Sequence, residues 1–333
     1  MIEYADIRDV HLEISTFCNA ACPQCPRNFN GYPHNDGYPE LNLTLDNARR
    51  IFSKDFLQQL TKININGNFG DLVMNPESSD IVEYFANENK NLKITISTNG
   101  GARNRDFWQR LARTGAHVYF CLDGLEDTHH LYRQNTVWST VIKNAQAFIE
   151  AGGHATWKMI EFKHNQHQIT DCRVLANQLG FRQFQLVDQG RDTGPVYDKN
   201  GNLTHVLGDY QGETEFRVVF HDWRSEPQDI KNYKLGKTVT KITCDTITHR
   251  SIYVAANGDI FPCCYLGLYP RTFGHGTYSE AANAQIAPLM RENNALEFPL
   301  DHCLKWFKSV EESWKKREHS EGRLFICDNV CGS

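Results

Sequence analysis

The sequence predicts an α/β fold with a parallel sheet, and three observations carry that prediction. Strand-like and helix-like segments alternate from residue 10 to about 190. Six of the segments read as strands, each followed by helical periodicity or a turn signal. The strands also alternate polar with apolar residues, which assigns the two faces of the sheet to different jobs.

The six strands are expected at Val10–Ser15, Lys62–Asn66, Leu92–Ser97, His117–Leu122, Thr156–Glu161 and Gln183–Asp188. Two intervening helices are well punctuated. Ser139 is positioned to cap a helix with Val141, Ala145 and Phe148 on its apolar side, ending at Gly152-Gly153. Ile169, Cys172, Ala176 and Leu179 form the next stripe, closed by Gly180. A parallel strand covered on both faces is normally apolar throughout. Here His11, Glu13 and Ser15, Asn64 and Asn66, Thr95 and Ser97, and Gln183 and Gln185 fall on one face, with Val10, Leu12, Ile14, Ile63, Ile65, Ile94, Ile96, Phe184 and Leu186 on the other. The apolar set is expected to meet the helices, leaving the polar set around a lumen that can bind a ligand.

The length of 333 residues suits one barrel-sized domain and a smaller one. We divide it into residues 1–190, a connector with hairpin pieces at 191–243, and a small region at 244–333. The connector is rich in Gly, Asp, Asn, Lys and Gln, with turn signals at Thr193-Gly194-Pro195 and Lys199-Asn200-Gly201-Asn202. A net charge of −5 provides no general basic field, so nucleic acid is disfavoured as a partner. No apolar run is long enough to span a membrane and no leader precedes Val10, so the expected location is cytoplasmic. Eleven cysteines grouped towards the two ends point to metal in a reducing compartment rather than a disulfide framework.

Cys18-Asn-Ala-Ala-Cys22-Pro-Gln-Cys25 directly follows the first strand. Thiolates spaced C-x3-C-x2-C on one short loop can hold three corners of a cubic iron–sulfur cluster. With no fourth cysteine nearby in sequence, one iron stays open to a chelating ligand. The other class of reading is a non-catalytic zinc-binding interaction protein, for which this spacing is unusual and no local fourth ligand exists.

The spacing after a strand resembles that of the radical S-adenosylmethionine (SAM) enzymes. That resemblance implies a partial (β/α)6 TIM-like barrel, a SAM-chelating [4Fe–4S] cluster on Cys18, Cys22 and Cys25, and a flavodoxin- or ferredoxin-type electron donor. It further implies that SAM is cleaved to a 5′-deoxyadenosyl radical that takes a hydrogen atom from a substrate C–H bond. Gly67-Asn68-Phe69-Gly70-Asp71 occupies the place of the family's Gly-Gly-Glu segment, so Gly70 and Asp71 are candidates to meet the SAM ammonium. Ser97-Thr98-Asn99-Gly100 resembles the ribose and methionine segment, giving Ser97 and Asn99. In the sulfatase-maturing members a serine before Leu-Asp-Gly and an arginine twelve residues later bind SAM. Cys121 stands in place of that serine here, and Arg133 keeps the arginine. Leu186 and Val187 fall where the family packs adenine.

Cys244, thirteen residues, Gly258, four residues and Cys263 fit the opening of the family's auxiliary-cluster (SPASM/twitch) domains. Asn257-Gly258 is a hairpin signal that would bring the two cysteines together. Cys327 and Cys331 complete a closed set for a second [4Fe–4S] cluster in a small C-terminal twitch-like domain, with structural zinc as the other candidate. Cys303 is either an exchanged ligand or a buried thiol, and we favour the latter. Cys264 replaces a proton-accepting aspartate, so Cys264 and Cys121 are candidate hydrogen donors to a substrate radical, with ordinary buried thiols as the alternative. The expected substrate is a peptide, with a small polar metabolite as the second choice.

Overall fold

The computed structural model describes residues 2–33, 39–187, 194–208, 241–268 and 277–332. Its strands, in chain order, are β1 Asp9–Leu12, β2 Asn28–Phe29, β3 Tyr32–Pro33, β4 Lys62–Ile65, β5 Lys93–Thr98, β6 His117–Cys121, β7 His154–Ile160, β8 Gln183–Val187, β9 Gly194–Tyr197, β10 Leu203–Leu207, β11 Ser251–Val254 and β12 Ile260–Phe261. Six of them, β1 and β4 to β8, are the expected strands, and they pair in parallel in chain order. Helices Leu45–Ile51 and Lys54–Gln59, Ser78–Glu88, Arg105–Ala112, Glu126–Tyr132 and Trp138–Glu150, and Ile169–Gln178 fill the successive crossovers. The sheet is a partial barrel. Asp188, expected to end the sixth strand, lies outside the described residues.

The two faces divide as the alternation requires. Val10, Leu12, Ile63, Ile65, Ile94, Ile96, Val118 and Phe120 are buried in one core with Ile81, Phe85, Trp108, Val141 and Phe148 from the helices. His11, Asn64, Thr95, Ser97, Tyr119 and Cys121 are half-buried on the opposite face. Helix ends use short polar side chains: Thr44, Ser53 and Asn104 each accept a main-chain N–H three residues on. Ser139 does not act as a cap. Helix Trp138–Glu150 begins before it, at Val137, without a side-chain cap, while its expected apolar positions Val141, Ala145 and Phe148 are all buried.

The 244–333 region joins the barrel sheet directly. β11 pairs in parallel with β1, from Asp9 opposite Ser251 to Leu12 opposite Val254, and β12 returns antiparallel beside β11. Gly258, at φ +91°, makes the turn the Asn-Gly pair predicts. Further on, Arg323 holds Asp328 through two hydrogen bonds of 2.8 and 2.7 Å, fixing helix Phe325–Cys331. In the connector, β9 and β10 form a hairpin whose turn is tied by Asp198, which accepts from the amides of Asn200 and Asn202. Its Val196 and Leu207 pack beside Ala20, Cys22, Tyr132, Ile160 and Phe162.

Candidate functional site

The cluster loop leaves β1 at its carboxyl end, the end where parallel barrels gather their chemistry. Ala21 N–H donates to the Gln134 carbonyl at 3.0 Å, and Asn28 donates its amide to the Cys22 carbonyl at 3.2 Å, so the loop is pinned on both sides. Two polar donors reach its sulfurs. Asn99 Nδ2 lies 3.6 Å from Cys18 Sγ, and Arg133 Nη1 lies 3.6 Å from Cys22 Sγ. Burial pushes the Cys18 thiol well up and Cys25 up to about 11, and the neighbouring thiols add to both. Buried sulfurs that repel one another and already draw N–H donors are suited to a metal cluster, which takes them as thiolates.

Gly67-Asn68-Phe69-Gly70-Asp71 packs against the backbone just before that loop. A Cβ on Gly70 would stand 2.0 Å from the Ser15 carbonyl oxygen, so no other residue fits there. Glu13, fully buried just past the end of β1, accepts the Phe69 N–H at 2.7 Å. The Asp71 carboxylate accepts from Val73 N at 3.1 Å, Thr98 Oγ1 at 2.7 Å and Asn99 N at 2.7 Å. Burial pushes its pKa up, and these hydrogen bonds oppose the rise. Asp71 thus locks the Ser97–Gly100 loop to its own, and holds Asn99 where its amide can reach Cys18. Ser97 sits on the lumen face opposite Tyr119 in the register.

Arg133 is no surface residue. It follows helix Glu126–Tyr132, its side chain is 14% exposed, and its Nε donates to Asp123 Oδ2 at 2.6 Å. Asp123, wholly buried, also accepts the Ile160 N–H at 2.6 Å. Burial lowers the Arg133 pKa, but Asp123 and the Cys22 and Cys121 thiols outweigh it and hold the guanidinium charged. Asp123 and Glu13 are legible only in part: one is the acid of Leu122-Asp123-Gly124, the other a polar strand position, and spacing singles out neither. Cys121 lies on the lumen face, where burial raises its pKa. Leu186, near the carboxyl end of β8, packs against the main core.

At the other end of β1, Cys244, Cys263, Cys327 and Cys331 line one cavity of about 410 Å3, together with Cys264 and with His11 and Asn64 of the lumen. Burial pushes Cys263 well up and Cys327 up to about 12, and neighbouring cysteines add to both rises. The buried Trp314 indole N–H faces Cys327 and favours its anion. A buried N–H donor beside four thiols fits a group whose sulfur carries negative charge. Among the described residues, no three Cys, His, Asp or Glu side chains draw close enough to hold a single metal ion. Cys303 stands apart, buried, with its thiol directed at the Phe298 carbonyl 3.7 Å away. The Cys264 carbonyl accepts from Asn68 Nδ2 at 2.9 Å, which links this region to the glycine-bearing loop.

No curated protein matches the sequence. Streptococcus suis SuiB bound to S-adenosylmethionine is similar in structure, with 15% identity, a TM-score of 0.55, and 98% of this chain and 73% of that chain covered. In another SuiB structure the chain spans only 61% of its counterpart. A histidine-tagged anSMEcpe with bound AdoMet gives 16% identity and a TM-score of 0.55 over 97% of this chain and 86% of that one. BtrN in complex with AdoMet and 2-DOIA gives 12% and 0.50, over 97% and 92%. At such identities these likenesses establish the fold. Residues 12–161 match the radical SAM superfamily, the segment that holds the cluster loop, the Asp71 lock and the Asp123–Arg133 pair. Residues 12–161 of the chain accordingly form a radical SAM domain.

Proposed function

We propose that this enzyme binds SAM on a [4Fe–4S] cluster held by Cys18, Cys22 and Cys25, and abstracts a hydrogen atom from a C–H bond of a peptide substrate. The observation that carries this reading is the pair of N–H donors, from Asn99 and Arg133, at the sulfurs of Cys18 and Cys22. Cluster and SAM together supply the 5′-deoxyadenosyl radical; the chain positions them and keeps water out. SuiB seen with its precursor peptide SuiA, and anSMEcpe seen with the Cp18Cys peptide, support a peptide. BtrN with 2-DOIA supports a second reading, the same chemistry on a small polar metabolite.

Residues 1–190 form the catalytic unit in this reading, 191–243 the connector and 244–333 a twitch-like unit. Cys244, Cys263, Cys327 and Cys331 hold a second [4Fe–4S] cluster, and an electron carrier of the flavodoxin or ferredoxin type reduces the enzyme. Gly70 and Asp71 shape the place of the SAM ammonium, Ser97 and Asn99 the ribose side, and Leu186 the adenine side. Cys264 is the preferred hydrogen donor, with Cys121 second. In a single turnover with deuterated candidate substrates, 5′-deoxyadenosine should acquire deuterium from the true one. If no peptide or polar metabolite transfers deuterium while SAM is still cleaved, the substrate assignment fails.

Arg133 is the SAM carboxylate partner in this reading. Asp123 takes its Nε and Cys22 one Nη1 proton, which leaves the outer end of the fork to bond a carboxylate. A charge-assisted bond of about 1.5–3 kcal/mol implies that Arg133→Ala weakens SAM binding about ten- to a hundredfold. Lysine should restore only part, since it keeps the charge without the fork. Equilibrium dialysis with labelled SAM measures this, and an unchanged dissociation constant would remove Arg133 from the site.

A further inference from the structure

The lumen holds a cation that the reading above does not use. Lys158 sits in β7 between Trp157 and Met159, both fully buried on the core face, so strand parity turns it to the lumen with Thr156. In the register it lies between Cys121 of β6 and Gln185 of β8. Its charge bears on the Cys121 thiol. Lys158 is half-buried, and while its carbonyl accepts the Leu122 N–H, its ammonium makes no ion pair or hydrogen bond with the described residues.

The buried charges at the carboxyl end of this face are engaged. Asp123 neutralises Arg133, Glu13 accepts the Phe69 amide, and Asp71 accepts two amides and a hydroxyl. A partly desolvated ammonium without a counter-charge is costly unless something anionic enters beside it. Surface lysines escape that cost by extending into water, whereas this one rises from the middle of a barrel strand on the inner face. We propose that Lys158 anchors an oxyanion of the substrate, a carboxylate or a phosphate, so that the enzyme acts on an anionic molecule or peptide side chain. This rests on the radical SAM reading for the reaction but not for the binding step. A compact ammonium suits such a point contact, while the planar fork of Arg133 is held elsewhere.

Acylation by N-acetoxysuccinimide, followed by peptide mass spectrometry on the reconstituted enzyme, tests this with acetate and inorganic phosphate as probes. Lys158 modification should slow saturably, by about fivefold or more, with half-protection at millimolar anion, while the other lysines are unaffected. The probe that protects at lower concentration assigns carboxylate or phosphate. Lys158→Met should leave SAM affinity and substrate-free 5′-deoxyadenosine formation unchanged. Protection no different from that of surface lysines with both probes overturns the proposal. So does a tenfold or greater loss of SAM affinity in Lys158→Met, which would make Lys158 a partner of SAM itself. Failure of the wild-type enzyme to form 5′-deoxyadenosine would instead sink the radical reading and leave the protection result standing.

Discussion

Replacing Cys18, Cys22 and Cys25 together by alanine is expected to abolish reductive formation of 5′-deoxyadenosine while leaving about half of the iron in the reconstituted protein. The complementary pair, Cys244→Ala with Cys263→Ala, should also remove about half of the iron, the other half. The two sets lie at opposite ends of β1, and among the described residues no cysteine is shared between them, so each loss should be independent. Iron and sulfide analysis with SAM-cleavage assays on the two variants separates the outcomes. Undiminished cleavage without the first set would refute its assignment. Zinc bound at the second set would refute the auxiliary cluster and favour a structural metal there.

Asp123→Ala should produce the largest loss of stability of any single change in the site, about 3–5 kcal/mol. Its carboxylate is wholly buried between the Ile160 amide and the Arg133 guanidinium, so truncation leaves both a donor and a charge unsatisfied. Combining it with Arg133→Met removes the stranded charge, and the double variant should be more stable than Asp123→Ala alone. Urea unfolding of the three proteins gives the comparison. A cost below about 1 kcal/mol for Asp123→Ala would mean that water reaches the pair and that the ion pair behaves as an exposed one.

The barrel is legible in the sequence because its signals are local. Each of the six strands stands within a few residues of its expected place, since alternation of polar and apolar residues marks both existence and facing. The pairing of Ser251–Val254 with β1 is not legible, because joining two segments so distant in the chain leaves no periodicity in either. Asn257-Gly258 does announce the hairpin β11–β12, yet the turn does not say which sheet receives it. Within the site, the cysteine loop is readable from its spacing, and Arg133 from the family resemblance. Asp123, Glu13 and Lys158 are harder, because their roles depend on what other segments bring to them. Lys158 does carry a signal, its parity with Thr156 within a strand already identified. Ser139 fails as a cap because helix Trp138–Glu150 starts earlier, so the serine falls inside the first turn.

β1 is a shared beam with a parallel neighbour on each side, β4 on the catalytic side and β11 on the side of the C-terminal cysteines. Its four residues carry the cluster loop at one end and border the second cysteine cavity at the other. An electron hop between two centres slows exponentially with the gap it must tunnel across. In the proposed two-cluster reading, the two cysteine sets are joined by one hydrogen-bonded ladder, β4–β1–β11, rather than by a hinge. On that reading, a substrate entering the lumen would leave the separation that sets the hop unaltered.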